Sequence, residues 1–147
     1  MIKRILVATD ASRAANRAVD LAADVAAKYG SSLNILHVVR HMQLPPELLR
    51  MARVEKIAGR EADILEFVAR QILSDAETRA KKKGAKDVRT AMDDGDPATA
   101  IVKHAKRHHV DLIVMGSRGL GKVKEVFLGS VSRKVCNLSP ISCLTVR

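Results

Sequence analysis

Glycine and serine residues gather near the C-terminus in a pattern suited to holding phosphate. Gly116-Ser117-Arg118-Gly119 follows an apolar run, and Gly129-Ser130-Val131-Ser132 opens a later helical segment. Glycine lets backbone N–H groups reach an anion with no Cβ in the way. The first amides of a helix carry partial positive charge and point outward, which suits a phosphate. The hydroxyls of Ser130 and Ser132 can add donors, and Arg118 and Lys122 bring cations to the rim. The plain alternative is a pair of ordinary glycine turns on a surface loop. The strand–loop–helix setting and the second Gly-Ser start argue against it.

Other chemistry is weaker. Gly116-x4-Gly121-Lys122 matches the first seven positions of GxxxxGK[ST], but the eighth is Val123, which has no hydroxyl for Mg²⁺. That argues against a motor-type or GTPase-type NTPase. GxGxxG is missing after the first apolar run, which argues against a dinucleotide dehydrogenase. Asp10 ends that run, where an acid serves as a helix cap or as a ligand. Thr9 and Ala11 do not supply the acidic neighbours of a phospho-accepting aspartate. His104 and His108 stand at i, i+4, but HExxH is absent and Lys103, Lys106 and Arg107 would repel a cation. They read as a solvated basic face, and His37 as a hydrogen-bonded core residue. No Ser/His/Asp arrangement or pair of carboxylates stands out, so binding with slow or no turnover is expected rather than efficient hydrolysis.

The elements that must position these residues follow from periodicity. Residues 2–8, 33–39 and 111–115 carry apolar runs without alternation, as strands covered on both faces require. Residues 87–92 alternate and predict a half-exposed edge strand, and residues 141–146 a final strand. Ala15, Val19, Ala22, Ala26 and Tyr29 recur at helical spacing after a cap at Asp10 or Ser12, with Gly30 as the stop. Residues 47–83 read as helix, in two pieces broken near Gly59, with Ile57, Glu61, Ile64, Val68, Ile72 and Ala76 on one face. Asp96-Pro97 caps and opens another helix, and residues 130–138 form a short one. Alternating strands and helices predict a parallel sheet with right-handed crossovers. Ligands of such sheets sit beyond the carboxyl ends of the strands, here Thr9-Asp10, Val38-Val39 and Met115 onward.

The whole chain is compatible with one domain over residues 1–147. Apolar residues make up 47 % and aromatics only 2 %, so the core is aliphatic and a stacking platform for single-stranded nucleic acid is hard to build. The net charge of +10 suits a polyanionic ligand, or solubility alone. Cys136 and Cys143 are too few for a disulfide framework and read as buried free thiols. The N-terminal MIKRILVATD shows no leader pattern, and no apolar run is long enough to span a bilayer, so a cytoplasmic protein is expected.

Together these segments resemble the universal stress protein family, in its ATP-binding branch. The resemblance rests on the Gly116-x2-Gly119-x9-Gly129-Ser130 spacing, the opening ILVATDAS, LHVV, DGDPATAIVKHA, DLIVMGSRG and the closing PISCLTV. It implies an α/β fold with an open five-stranded parallel sheet of order 3-2-1-4-5, of the adenine nucleotide alpha-hydrolase-like type. It also implies a homodimer made through the last strand, residues 141–146. Ala8 and Thr9 would line the adenine side, the Val38 backbone would read the adenine edge, and Met115 would pack near the base. Asp10 would approach the ribose or a phosphate-bound Mg²⁺ or Mn²⁺. Gly116 and Gly119 would pass under ribose and phosphates beside Arg118, and Gly129, Ser130, Val131 and Ser132 would hold the β- and γ-phosphates. The implied role is a stress-response or signalling protein that binds ATP and is not an enzyme. Two other classes compete. An enzyme splitting ATP between the α and β phosphates would need an SGGxDS-like loop where this chain has Thr9-Asp10-Ala11-Ser12. A nucleic-acid module, suggested by Lys81–Lys83 and Lys86, lacks aromatics and a recognition helix.

Overall fold

The computed structural model describes residues 1–40, 44–54, 60–119 and 128–147. Ile57 and Gly59, and Gly121, Lys122 and Val123 of the GxxxxGK-like run, lie outside them. Five strands, β1 (Arg4–Ala8), β2 (Ser32–Val39), β3 (Val88–Asp94), β4 (Leu112–Gly116) and β5 (Ser142–Val146), form one sheet. Its order is β3-β2-β1-β4-β5 and every pairing is parallel. The helices are α1 (Arg13–Tyr29), α2 (Pro46–Val54), α3 (Glu61–Lys82), α4 (Pro97–Arg107) and α5 (Ser130–Leu138). This is the expected architecture. The order reverses between β1 and β4, so a crevice opens beyond the ends of those two strands.

The unalternated runs are buried on both faces. Ile5, Leu6 and Val7 on β1 and Ile113 and Val114 on β4 have no exposed surface. One apolar cluster joins Ile5, Val7, Val114 and Leu33 to α1 and to Leu73, Ala76 and Ala80 of α3. The other joins Leu6, Leu36, Ile113 and Met115 to α4 and to Val135 of α5. With so few aromatics, close packing rests on alanine: Ala15, Ala18, Ala22, Ala23 and Ala26 bury one side of α1. β3 is the half-exposed edge that its alternation predicts.

Caps act where the sequence places them. Ser12 is the N-cap of α1, its Oγ accepting from Ala15 N at 3.1 Å, and Gly30 ends that helix at φ +66°. Asp96 caps α4 through Thr99 N at 2.9 Å, with Pro97 next.

Several expectations need correction. On α3 the buried positions are Ile64, Ala69, Leu73, Ala76 and Ala80, whereas Val68 is 46 % exposed. Close approach of α1 and α3 selects small residues, so the stripe sits beside the one that bulk suggests. Tyr29 is exposed at the end of α1. His104 is buried and does not lie on a solvated face; its ring stacks on that of His108, with centroids 4.2 Å apart. Cys136 is exposed and Cys143 half-buried, so neither is a buried thiol. Among the described residues no helix is long and apolar enough to cross a membrane.

Candidate functional site

Two sharp turns bring the glycine loop to the end of β1. At the first, Ala11 takes φ +64°, a left-handed conformation that L-residues adopt at a penalty. The turn is braced from both sides: Thr9 Oγ1 accepts from Ala11 N at 3.2 Å, and Asp10 Oδ1 accepts from Ser12 N at 2.9 Å. Ser12 is thus the cap and Asp10 supports it. The other Asp10 oxygen faces the second turn: a Cβ placed on Gly119 would lie 2.8 Å from Asp10 Oδ2.

Each of the three motif glycines has its own steric reason. A Cβ on Gly116 would meet Ala15 N at 2.8 Å and Ala14 C at 2.9 Å, both backbone of α1. Glycine here lets β4 and the first turn of α1 touch. At Gly119 the obstacle is the Asp10 carboxylate. At Gly129 a Cβ would sit 3.3 Å from Ser117 O and 3.5 Å from Arg118 Cα. Gly129 N donates to Ser117 O at 2.5 Å, so the start of α5 lies directly against the loop after β4. Ser12 Oγ reaches Arg118 O at 3.5 Å, and Arg118 itself is exposed.

The first turn of α5 presents outward-pointing amides. Gly129 is its N-cap with no side-chain cap bond, and the first turn holds no acid. The N–H groups of Ser130, Val131 and Ser132 therefore lack helical acceptors of their own. The expected hydroxyl donors divide here. Ser130 is exposed, but Ser132 is buried and its Oγ lies 3.1 Å from both Ser117 O and Gly129 O. The Ser132 hydroxyl binds the loop to the helix and is engaged there, and its backbone N–H, in the first turn, has no helical acceptor.

Apolar residues line the other side. Ala8, Val38 and Val131 pack on the cluster that contains Met115 and Ala98. Along β2, Leu36 O accepts from Thr9 N and Val39 O from Gly95 N. Backbone groups alternate along a strand, so the N–H and C=O of Val38 turn toward the β1 side, past the last paired residue Ala8. Thr9 O is already taken by His37 Nδ1 at 2.8 Å.

Next to this edge a cleft of about 390 Å³ is lined by Arg40, Gly95, Asp96, Pro97, Ala98, Ser130, Val131 and Lys134. Sequence reasoning identified Ser130 and Val131 but not Arg40 or Lys134. Lys134 Nζ is 3.1 Å from Asp96 Oδ2, so the N-cap of α4 is tied to the second turn of α5 across the cleft. The Thr99 hydroxyl and amide, followed by Lys134, hold the Asp96 carboxyl down to about 2. The pairing is legible only in three dimensions, since 38 positions separate the partners.

An open parallel sheet of order 3-2-1-4-5 with helices and glycine turns at its order reversal defines a doubly wound protein of the α/β class. The universal stress protein family model matches residues 1–147, and the chain belongs to that family. It is 36 % identical over 149 residues to universal stress protein YxiE of Bacillus subtilis, covering 100 % of each chain. Among solved structures it is similar to universal stress protein UspA from Lactobacillus plantarum, with TM-score 0.80 and 26 % identity over 99 % of this chain and 98 % of that one. It is also similar to a universal stress protein solved in complex with cAMP, with TM-score 0.72 and 30 % identity over 99 % and 97 % of the two chains.

Proposed function

We propose that this chain, acting as a single domain over residues 1–147, is an ATP-binding universal stress protein. The observation that carries the reading is the backbone cradle: Gly116, Gly119 and Gly129 stand where side chains would intrude, and the amides of Ser130, Val131 and Ser132 open beside them. The adenine edge meets the Val38 backbone, and the base rests near Ala8, Thr9 and Met115. Ribose passes over Gly116 and Gly119 beside Asp10, and the β- and γ-phosphates reach the start of α5, with Arg118 at the rim. The cAMP complex of a 30 % identical relative supports an adenine nucleotide as the ligand.

A divalent cation, Mg²⁺ or Mn²⁺, would arrive with the triphosphate and neutralise its charge, and Asp10 is the carboxylate placed to meet it. Asp10 braces the turn and orients the ligand, so hydrolysis is slow or absent and the protein works by occupancy rather than turnover. It acts in the cytoplasm in a stress-response or signalling role. The homodimer forms through β5, an edge strand with Leu144 partly exposed.

Mass spectrometry of nucleotide released after ATP loading and desalting tests the reading. ATP is expected at about one per chain. Retention of no nucleotide would overturn it, and release of AMP and pyrophosphate would favour the hydrolase class.

A further inference from the structure

Lys134 sits in the second turn of α5, one turn after Ser130 and on the same face. Helical side chains lean toward the start of their helix, so its stem heads for the first turn, where Ser130 and Val131 line the cleft. Its Nζ ends 3.1 Å from Asp96 Oδ2, at the N-cap of α4.

The charge there runs against the helix. A cation is disfavoured near a helix N-terminus, because the first amides already carry partial positive charge. The first turn of α5 holds no acid to offset it. Arg40 adds a second cation, and Asp96 is the one carboxylate among the described residues that line the cleft. Asp96 is itself heavily used: the same Oδ2 accepts from Thr99 N at 2.9 Å and from Thr99 Oγ1 at 2.6 Å. Two cations thus face one shared carboxylate, beside amides that lack helical acceptors.

The bridge is a weak restraint. Its Lys134 and Asp96 side chains are 51 % and 50 % exposed. Ion pairs that open to water hold little free energy, whereas a phosphate offers an ammonium strong charge-assisted bonds. Asp96 keeps both bonds from Thr99 when the lysine turns away, so it stays an ionised cap.

Resting on the ATP-binding reading of the same site, we propose that Lys134 is a phosphate-binding residue, held in reserve by Asp96 and transferred to the β- or γ-phosphate when a nucleoside triphosphate binds. Transfer needs only rotation about the outer torsions of a flexible stem, so α5 need not move.

The test is calorimetric titration of ATP with Mg²⁺ into the full chain at low ionic strength, with circular dichroism as the check on each fold. Lys134→Met keeps the apolar stem and removes the ammonium, and should weaken ATP binding about tenfold. Lys134→Arg should stay within about threefold of the unmutated chain. Asp96→Asn keeps an N-cap side chain for α4 and frees the lysine, so ATP should bind about threefold more tightly. That gain should vanish in the Asp96→Asn/Lys134→Met double variant. A bridge that only braced the two helices would lose affinity with Asp96→Asn, and that result would overturn the proposal. So would an equal gain from Asp96→Asn with and without Lys134, which is the mark of distant charge alone. ATP binding by the unmutated chain that a folded Lys134→Met matches would overturn this proposal and leave the ATP reading standing. No ATP binding by the unmutated chain would overturn both.

Discussion

Replacing Gly116 by alanine tests how tightly β4 and α1 are pressed together. The added Cβ would lie 2.8 Å from Ala15 N, 2.9 Å from Ala14 C and 3.0 Å from the Ala14 methyl. Ordinary contacts of this kind need about 3.5 Å or more. The obstacle is mostly backbone, so no side-chain rotation relieves it, and α1 must retreat by roughly 0.5 Å or more. A gap of that size forfeits about a quarter of the dispersion energy of the contacts that open. Those contacts include Ala15, Ala18 and Val19, which are buried. The loss should be about 2 kcal/mol, within the range of about 1–3 kcal/mol for overpacked cores. For a chain of 147 residues that lowers Tm by roughly 4–8 °C. Urea unfolding followed by circular dichroism measures it. Gly119→Ala is the control, because there a Cβ meets only the end of the Asp10 side chain and stability should change by about 0.5 kcal/mol or less. A Gly116→Ala loss under about 0.5 kcal/mol, with unchanged m-value, would show that the strand–helix contact is looser than this reasoning requires.

Ala11→Gly should stabilise the chain by about 0.5–1 kcal/mol. Relief of the left-handed φ is worth about 1–2 kcal/mol, and the greater unfolded-state freedom of glycine takes back about 0.4–1 kcal/mol. A lower urea midpoint for the glycine variant would refute this. Ser132→Ala should lower stability by about 1 kcal/mol by removing the hydroxyl that ties α5 to Ser117. It should leave ATP affinity within about threefold, because the backbone N–H stays; a tenfold loss would return the hydroxyl to the ligand. His104 is held below its usual 6.5 by burial first, then by His108 and Arg107, with Asp93 opposing. The unfolded chain therefore takes up this proton first, so stability falls as pH drops below about 6.5 and until the folded-state value is passed. His104→Gln should flatten that fall between about pH 7.5 and pH 5.5; parallel curves for the two proteins would contradict it.

The sheet was legible because unalternated aliphatic runs have few alternatives in a chain of this size. Ile5-Leu6-Val7 and Ile113-Val114 are buried as their pattern requires. The α3 face was less legible. Ile64 and Ala76 of the stripe read from the sequence are buried, but Val68, which draws attention by bulk, is exposed, and the packing against an alanine-rich α1 uses Leu73 and Ala80 beside Ala76. Cys136 misleads for a similar reason. On α5 the buried residues are Ser132 and Val135, and one step beyond Val135 the helix has already turned to solvent. At the site, spacing exposes the glycines and the helix start, since backbone needs leave a trace in residue type. It does not tell a hydroxyl that donates inward, as Ser132 does, from one facing a ligand. Nor does it bring Arg40 and Lys134 to one cleft, because tertiary packing alone makes them neighbours.

Isothermal titration calorimetry of ATP into the full chain, in the presence of Mg²⁺, tests the central claim most directly. Gly129→Val is the companion, since a Cβ there already approaches Ser117 O to 3.3 Å and a branched side chain would crowd the start of α5. The account predicts saturable binding at about one ATP per chain, weakened at least tenfold, or about 1.4 kcal/mol, in a variant that keeps its circular dichroism spectrum. No binding by the unmutated chain, or equal binding by the folded variant, would contradict it.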